Sequence, residues 1–144
     1  MSTLTLRDKN GPASTNGTGG GNASAAAVTL EQRRAQFAWH CAQEGTQVAG
    51  DEYRNLAKAA PALIMNNGLM QTLAFYQDKG KPQHLALAAH LRRWIMQRAG
   101  GNGQDPGFQP MMEALLRAQP GQYRQATDEA LLILRWIRQF AAAL

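Results

Sequence analysis

A chain of 144 residues with 44% apolar side chains has the material for one helical core and no length for a second, catalytic domain. Lys and Arg number 15 against 10 Asp and Glu, a net charge of +5; that field favours polyanions, RNA or DNA first, and is equally an ordinary solubility device. No apolar run approaches the roughly 18 residues that span a bilayer, and no apolar segment follows the first charges, so anchoring and export are not predicted and a cytoplasmic location is expected.

Residues 1–28 are rich in Gly, Ser, Thr, Asn and Ala and hold almost no large apolar side chain after Leu6. Such a segment buries too little surface to offset its ordering entropy, so it is predicted to be a disordered tail, with Leu4, Leu6, Arg7 and Lys9 free to dock on a neighbour. Its glycines lack the strand-turn-helix setting of a phosphate-binding loop. Residues 29–144 are predicted to form a single helical-bundle domain.

Thr29 and Gln32 have the spacing of a capping box before a periodic segment. There Leu30, Phe37, Cys41 and Val48 share one side, while Arg33, Gln36, His40 and Gln47 line another. Arg34 falls close to the apolar side, where it either snorkels to solvent or pairs with an acid at a subunit contact. A second helix is expected from about Asp51 to Ala59, stopped by Pro61, which would open a short helix ending at Asn67-Gly68. A further helix covers Leu69 to Asp78, broken by Gly80 and Pro82.

From Pro82 to Arg98, residues Leu85, Leu87, Ala88, Leu91, Trp94 and Ile95 occupy one half of the circumference and His90, Arg93 and Gln97 the other. Gly100 to Gly107 reads as a flexible connection, Met111 to Ala118 as a short helix, and Tyr123 to Ala142 as the strongest helix. The apolar face of that last helix gathers Tyr123, Ala126, Ala130, Ile133, Leu134, Ile137 and Ala141. Nothing alternates as a strand would, so the fold class is all-α, a compact bundle of five or six helices.

Chemistry-bearing residues are sparse. The lone Cys41 can form neither an internal disulfide nor a cysteine zinc site, and adjacent His40 points elsewhere on the helix. His40, His84 and His90 lack the spacing of a helical metal pair, and Asp128-Glu129 reads as a solvated face. No catalytic residue, metal or cofactor is therefore assigned. Trp94 is expected in the core, whereas Trp39 and Trp136 lie off their apolar faces and are candidates for a subunit contact or a base platform. Arg124, Arg135 and Arg138 fall within about 40° of a common line on the last helix, a stripe that can track phosphates. Lys79 and Lys81 flank a glycine at a helix break, where ammonium groups and backbone donors can reach a phosphate oxygen. With Arg33 and Arg93 these are the candidate RNA-backbone residues; the bland reading of each is solvated charge.

The segment Tyr53 to Lys81, YRNLAKAAPALIMNNGLMQTLAFYQDKGK, carries a more specific pattern. Pro61, Leu63, Ile64, Gly68, Leu69, Gln71, Thr72, Leu73, Ala74 and Phe75 follow in order as xxPxLIxxxGLxQTLAF, which resembles the central signature of the small-subunit family of type III-B (Cmr) CRISPR-Cas effector complexes. The likeness extends more weakly to the helix around Leu85–Trp94 and the closing LLILRWIRQFA. In physical terms Pro61 starts a helix, Gly68 permits a sharp entry to the next, and Leu63, Leu69, Leu73 and Phe75 fill core space. Gln71 and Thr72 either bond across a helix turn or recognise a backbone.

The resemblance implies a helical, non-enzymatic subunit in antiviral defence. Several copies would stack into the minor filament of the complex, beside the backbone and large subunits, along a guide RNA paired with target RNA. Arginines and lysines would then contact phosphates without reading bases, and no membrane or cofactor would be involved. The glycine-rich tail and the Gly100 to Gly107 connection depart from the family pattern. Competing expectations are a helical adaptor whose partners are proteins alone, and the equivalent small subunit of type III-A complexes.

Overall fold

The computed structural model describes residues 27–144, and the tail predicted for residues 1–28 lies outside them but for its last two positions. Five helices follow in chain order: α1, Leu30–Asn67; α2, Leu69–Lys79; α3, Pro82–Arg98; α4, Phe108–Arg117; and α5, Pro120–Ala143. No strand occurs among the described residues. The capping box forms as predicted: Thr29 Oγ1 accepts from the Gln32 amide at 3.0 Å, and Gln32 Oε1 accepts from the Thr29 amide at 2.9 Å.

α1 is the spine. It packs against α5 most extensively and against α3 next, α2 closes on both α1 and α3, and α4 lies on α2. Small residues make the closest packing possible. Ala38, Ala42, Gly45, Ala57 and Ala60 of α1 are buried, as are Ala126, Ala130 and Ala141 of α5, so the backbones approach without large side chains between them. Larger side chains, Trp94, Leu87, Leu91 and Ile95 of α3 with Ile133, Leu134 and Ile137 of α5, fill the remaining space.

Of the two interruptions the sequence predicts in this stretch, the one before Asp51 is present and the one at Pro61 is not. α1 runs straight through Pro61 to Asn67, and its bend lies earlier, at Gly50, where φ is 54° and ψ is −127°. Pro61 forfeits one helical hydrogen bond, but Tyr53, Ala57, Ala60 and Ile64 continue a single buried stripe past it, and that packing holds the helix together. The Gly50 conformation is open to glycine and strained for any other residue. A Cβ there would meet no atom within 4 Å, so Gly50→Ala probes the backbone alone. We expect it to lower stability in urea by about 1–3 kcal/mol; an unchanged midpoint would show that the bend does not require glycine.

Helix starts are also earlier than predicted. Pro110 sits in the first turn of α4 and Pro120 opens α5, positions where the missing N–H has no intrahelical partner to lose. Gly68 links α1 to α2 at φ 91°, donating its amide to Ile64 O at 2.7 Å and accepting from the Thr72 amide at 3.1 Å and hydroxyl at 2.8 Å. The connection after α3 is tied down rather than loose: the Arg92 guanidinium grips Asp105 through bonds of 2.7 and 2.9 Å. Arg54 reaches from α1 to the last turn of α5 and donates to Ala141 O at 2.8 Å, which satisfies a carbonyl the helix leaves open.

Candidate functional site

The polar interior has two centres, both assembled from residues distant in sequence. Glu129, read from sequence as solvated, is buried on α5. It accepts from Arg34 Nε and Nη2 at 3.2 and 2.7 Å and from Trp94 Nε1 at 3.0 Å, while Arg98 Nε lies 3.3 Å away. Burial alone would raise its carboxyl; the bonds from Arg34 and Trp94 and the two guanidinium charges outweigh that and hold it below the usual carboxylate range. Arg34, expected to snorkel or to meet an acid at a subunit contact, thus finds that acid in its own chain and joins α1 to α5, while Trp94 and Arg98 bring α3 to the same carboxylate.

The second centre brackets the bend in α1. His90, expected on the polar side of α3, is buried; its Nε2 lies 2.6 Å from Glu44 Oε1 and its Nδ1 lies 2.8 Å from Tyr53 Oη. Glu44 precedes Gly50 and Tyr53 follows it, so one imidazole clamps both arms of α1. Burial pulls His90 below the ordinary histidine range, and Glu44 opposes it. Cys41 nearby is buried, which pushes its thiol well above the ordinary range and leaves it a protonated, unreactive core group. Among the described residues no three His, Cys, Asp or Glu side chains converge as a metal site would require.

The predicted basic residues separate into two kinds. Arg93 is held by the fold: its guanidinium carbon stands 5.4 Å over the Phe37 ring and its Nη1 lies 3.5 Å from Glu44. Arg33, Lys79, Lys81, Arg124, Arg135 and Arg138 are exposed. The three arginines of α5 therefore form the outward stripe that their spacing predicts. Lys79 ends α2 and Lys81 caps α3, with Gly80 between them at φ 66°. Both ammonium groups act on buried His84: burial first, then Lys79 and Lys81, draw its imidazole below the ordinary range.

Trp39 and Trp136 are brought together by Phe140, which sequence reasoning did not single out. Trp39 meets its ring edge-on at 5.2 Å and Trp136 lies tilted at 5.4 Å, a partly exposed aromatic cluster where α1 and α5 meet. Trp94 is in the core, as predicted. In the signature segment Leu69 and Leu73 are buried, but Phe75 is 45% exposed and does not fill the core. Val48 and Leu85 also face solvent: Val48 is close to the bend, and His84 takes the core-facing position beside Leu85. Thr72 bonds within its own turn, Pro61 is half-buried in α1, and Gln71 is exposed. Leu63, Asn67, Gln71, Thr72 and Phe75 line an open groove of about 210 Å³.

No helix among the described residues is long and apolar enough to cross a membrane. Comparison with known proteins fits this helical, site-poor architecture. Residues 30–144 match the family model described as CRISPR-associated protein (Cas_Cmr5). The chain is 33% identical over 117 residues to the CRISPR system Cmr subunit Cmr5 of Thermus thermophilus, covering 81% of this chain and 96% of that protein. The crystal structure of a Cmr5 family protein from the same organism superposes with a TM-score of 0.67 at 32% identity, over 82% of this chain and 98% of that one. The signature, the helical bundle and these matches agree: the chain belongs to the Cas_Cmr5 family, the small-subunit family of Cmr CRISPR-Cas complexes.

Proposed function

We propose that this protein is a non-catalytic small subunit of a type III-B CRISPR RNA-guided effector complex. Several copies stack into its minor filament and hold the guide–target RNA duplex by its backbone. The observation that carries RNA contact is the row Arg124, Arg135 and Arg138, exposed together on α5, whereas Arg34, Arg92 and Arg93 are committed to carboxylates within the fold. Cations spaced along a rigid helix neutralise phosphates without reading bases, and the paired guide supplies sequence choice. The absence of an activated nucleophile among the described residues supports a role without chemistry: Cys41 is protonated and buried, and His90 is consumed by Glu44 and Tyr53. The Trp39–Phe140–Trp136 cluster favours contacts with further copies or with the backbone and large subunits.

The test is binding of labelled guide–target duplex and single-stranded RNA across a salt series. Parent protein is expected to bind with steep salt dependence and indifference to sequence. Combining Arg124→Glu, Arg135→Glu and Arg138→Glu should weaken binding at low salt by at least about tenfold and flatten the log–log salt slope by about 2–3. Equal binding by parent and variant would remove this face as the RNA contact and favour a protein-only adaptor.

A further inference from the structure

Gln71, Phe75 and Lys79 recur at every fourth position of α2 and so lie in one exposed row, about 6 Å apart along the axis. Helical side chains lean toward the N-terminus, which sets the Phe75 ring over the turn at Gln71 and Thr72 and the Lys79 side chain over Phe75. The Lys79 ammonium indeed stands 5.7 Å from the Phe75 ring centroid. Toward the start of α2 the ring walls the groove that Leu63, Asn67 and Gln71 also line; toward its end the row runs into Lys81. An amide, an aromatic face and paired cations thus follow in the order in which a nucleotide presents base edge, base plane and phosphate.

We propose that this row is a subsite for one unpaired nucleotide of bound RNA. The base stacks on Phe75 inside the groove, the Asn67 and Gln71 amides meet its edge, and the adjoining phosphate lies on Lys79 and Lys81. The inference rests on the RNA-contact proposal above and adds a base contact to it. A nucleotide fits this surface better than an apolar partner side chain, which would cover two amides and an ammonium and give them nothing to bond. It also accounts for an aromatic ring left 45% exposed on α2 next to the buried Tyr76. Because every base has a π-face, the subsite is indifferent to sequence.

The test uses the full chain and two labelled probes, a short oligouridylate and a ribose-phosphate oligomer of the same length and charge without bases. Phe75→Ala is expected to weaken oligouridylate binding by about 5–100-fold and leave the baseless probe unchanged, while Phe75→Tyr retains affinity for both. Lys79→Ala with Lys81→Ala should weaken both probes. If Phe75→Ala binds both probes like the parent while the α5 charge reversal loses them, the subsite is wrong and RNA contact stands. If Phe75→Ala instead loses only self-association or attachment to other subunits, the row is a protein contact and the proposal falls. Failure of the parent to bind the oligouridylate at low salt, while it still binds the guide–target duplex, overturns the subsite and leaves the α5 contact standing. Circular dichroism of Phe75→Ala, a half-exposed position, checks that the fold is intact.

Discussion

Glu129→Ala is expected to be among the most damaging single substitutions, costing about 3–5 kcal/mol and lowering the melting temperature by about 10–25 °C. The reason is what it leaves behind. Arg34 and Arg98 have side chains only 11% and 10% exposed, and both turn toward the Glu129 carboxylate. Without it the Trp94 indole N–H loses its acceptor and Arg34 keeps only the longer 3.6 Å contact to Glu31, in a desolvated site joining α1, α3 and α5. Glu129→Gln keeps an acceptor for Trp94 and should lose less. The ionised carboxyl is favoured in the folded state, so its contribution is fully present above the unfolded-state value of roughly 4.3 and fades as pH falls through the lower folded value. Glu129→Gln should therefore flatten, without abolishing, the loss of stability in acid. Burial would raise Asp105, but the bonds from Arg92 and the Gly107 amide outweigh it and hold this carboxyl low, so it adds an acid-labile contribution of its own. Thermal melts of parent and both variants across the acid range check the claim; a parent and Glu129→Gln pair with superimposable acid profiles would refute it.

Gly45→Ala is the second. A Cβ at Gly45 would collide with Cε2 and Cζ of the Tyr53 ring, closer than non-bonded atoms approach. The ring cannot swing aside cheaply, because its hydroxyl is bonded to His90 and its edge packs on the imidazole. The expected cost is about 3 kcal/mol in chemical denaturation. The control changes the sign: in a Tyr53→Ala background the obstacle is gone, and alanine at 45 should stabilise the helix by about 0.5–1 kcal/mol. A double-mutant cycle isolates this coupling, and strictly additive effects would mean that the close approach of ring and helix is not what Gly45 permits.

What could be read from sequence follows from where the information sits. The apolar face of α5 and the Thr29 cap are local, written in spacings of three and four residues, and both are found in the structure. The three exposed arginines of α5 follow from the same periodicity. Glu129 and His90 were misplaced because a buried charge is licensed by its partner, and those partners lie 95 and 46 residues away. Local pattern treats Asp128 and Glu129 alike; only the arrival of Arg34 separates them. The interruption expected before Asp51 is found, at Gly50, but a second was assigned to Pro61, where the buried stripe of Tyr53, Ala57, Ala60 and Ile64 carries the helix past the proline. Phe75 was placed in the core on residue type alone, although it stands a third of a turn from the buried Tyr76.

The pairing of the first helix with the last has a consequence for biogenesis. α1 leaves the ribosome before the other four helices, with a face of small residues that match nothing yet made, and its main partner α5 is the last of the five to be synthesised. At about 5–20 residues per second α1 waits several seconds for it. Closing a loop that spans nearly the whole domain is then the step that completes the core, and Arg34 meets Glu129 only afterwards. Nascent chains stalled before α5 should remain open to protease, and the unpaired spine is a natural client for chaperones that shelter apolar helices during translation.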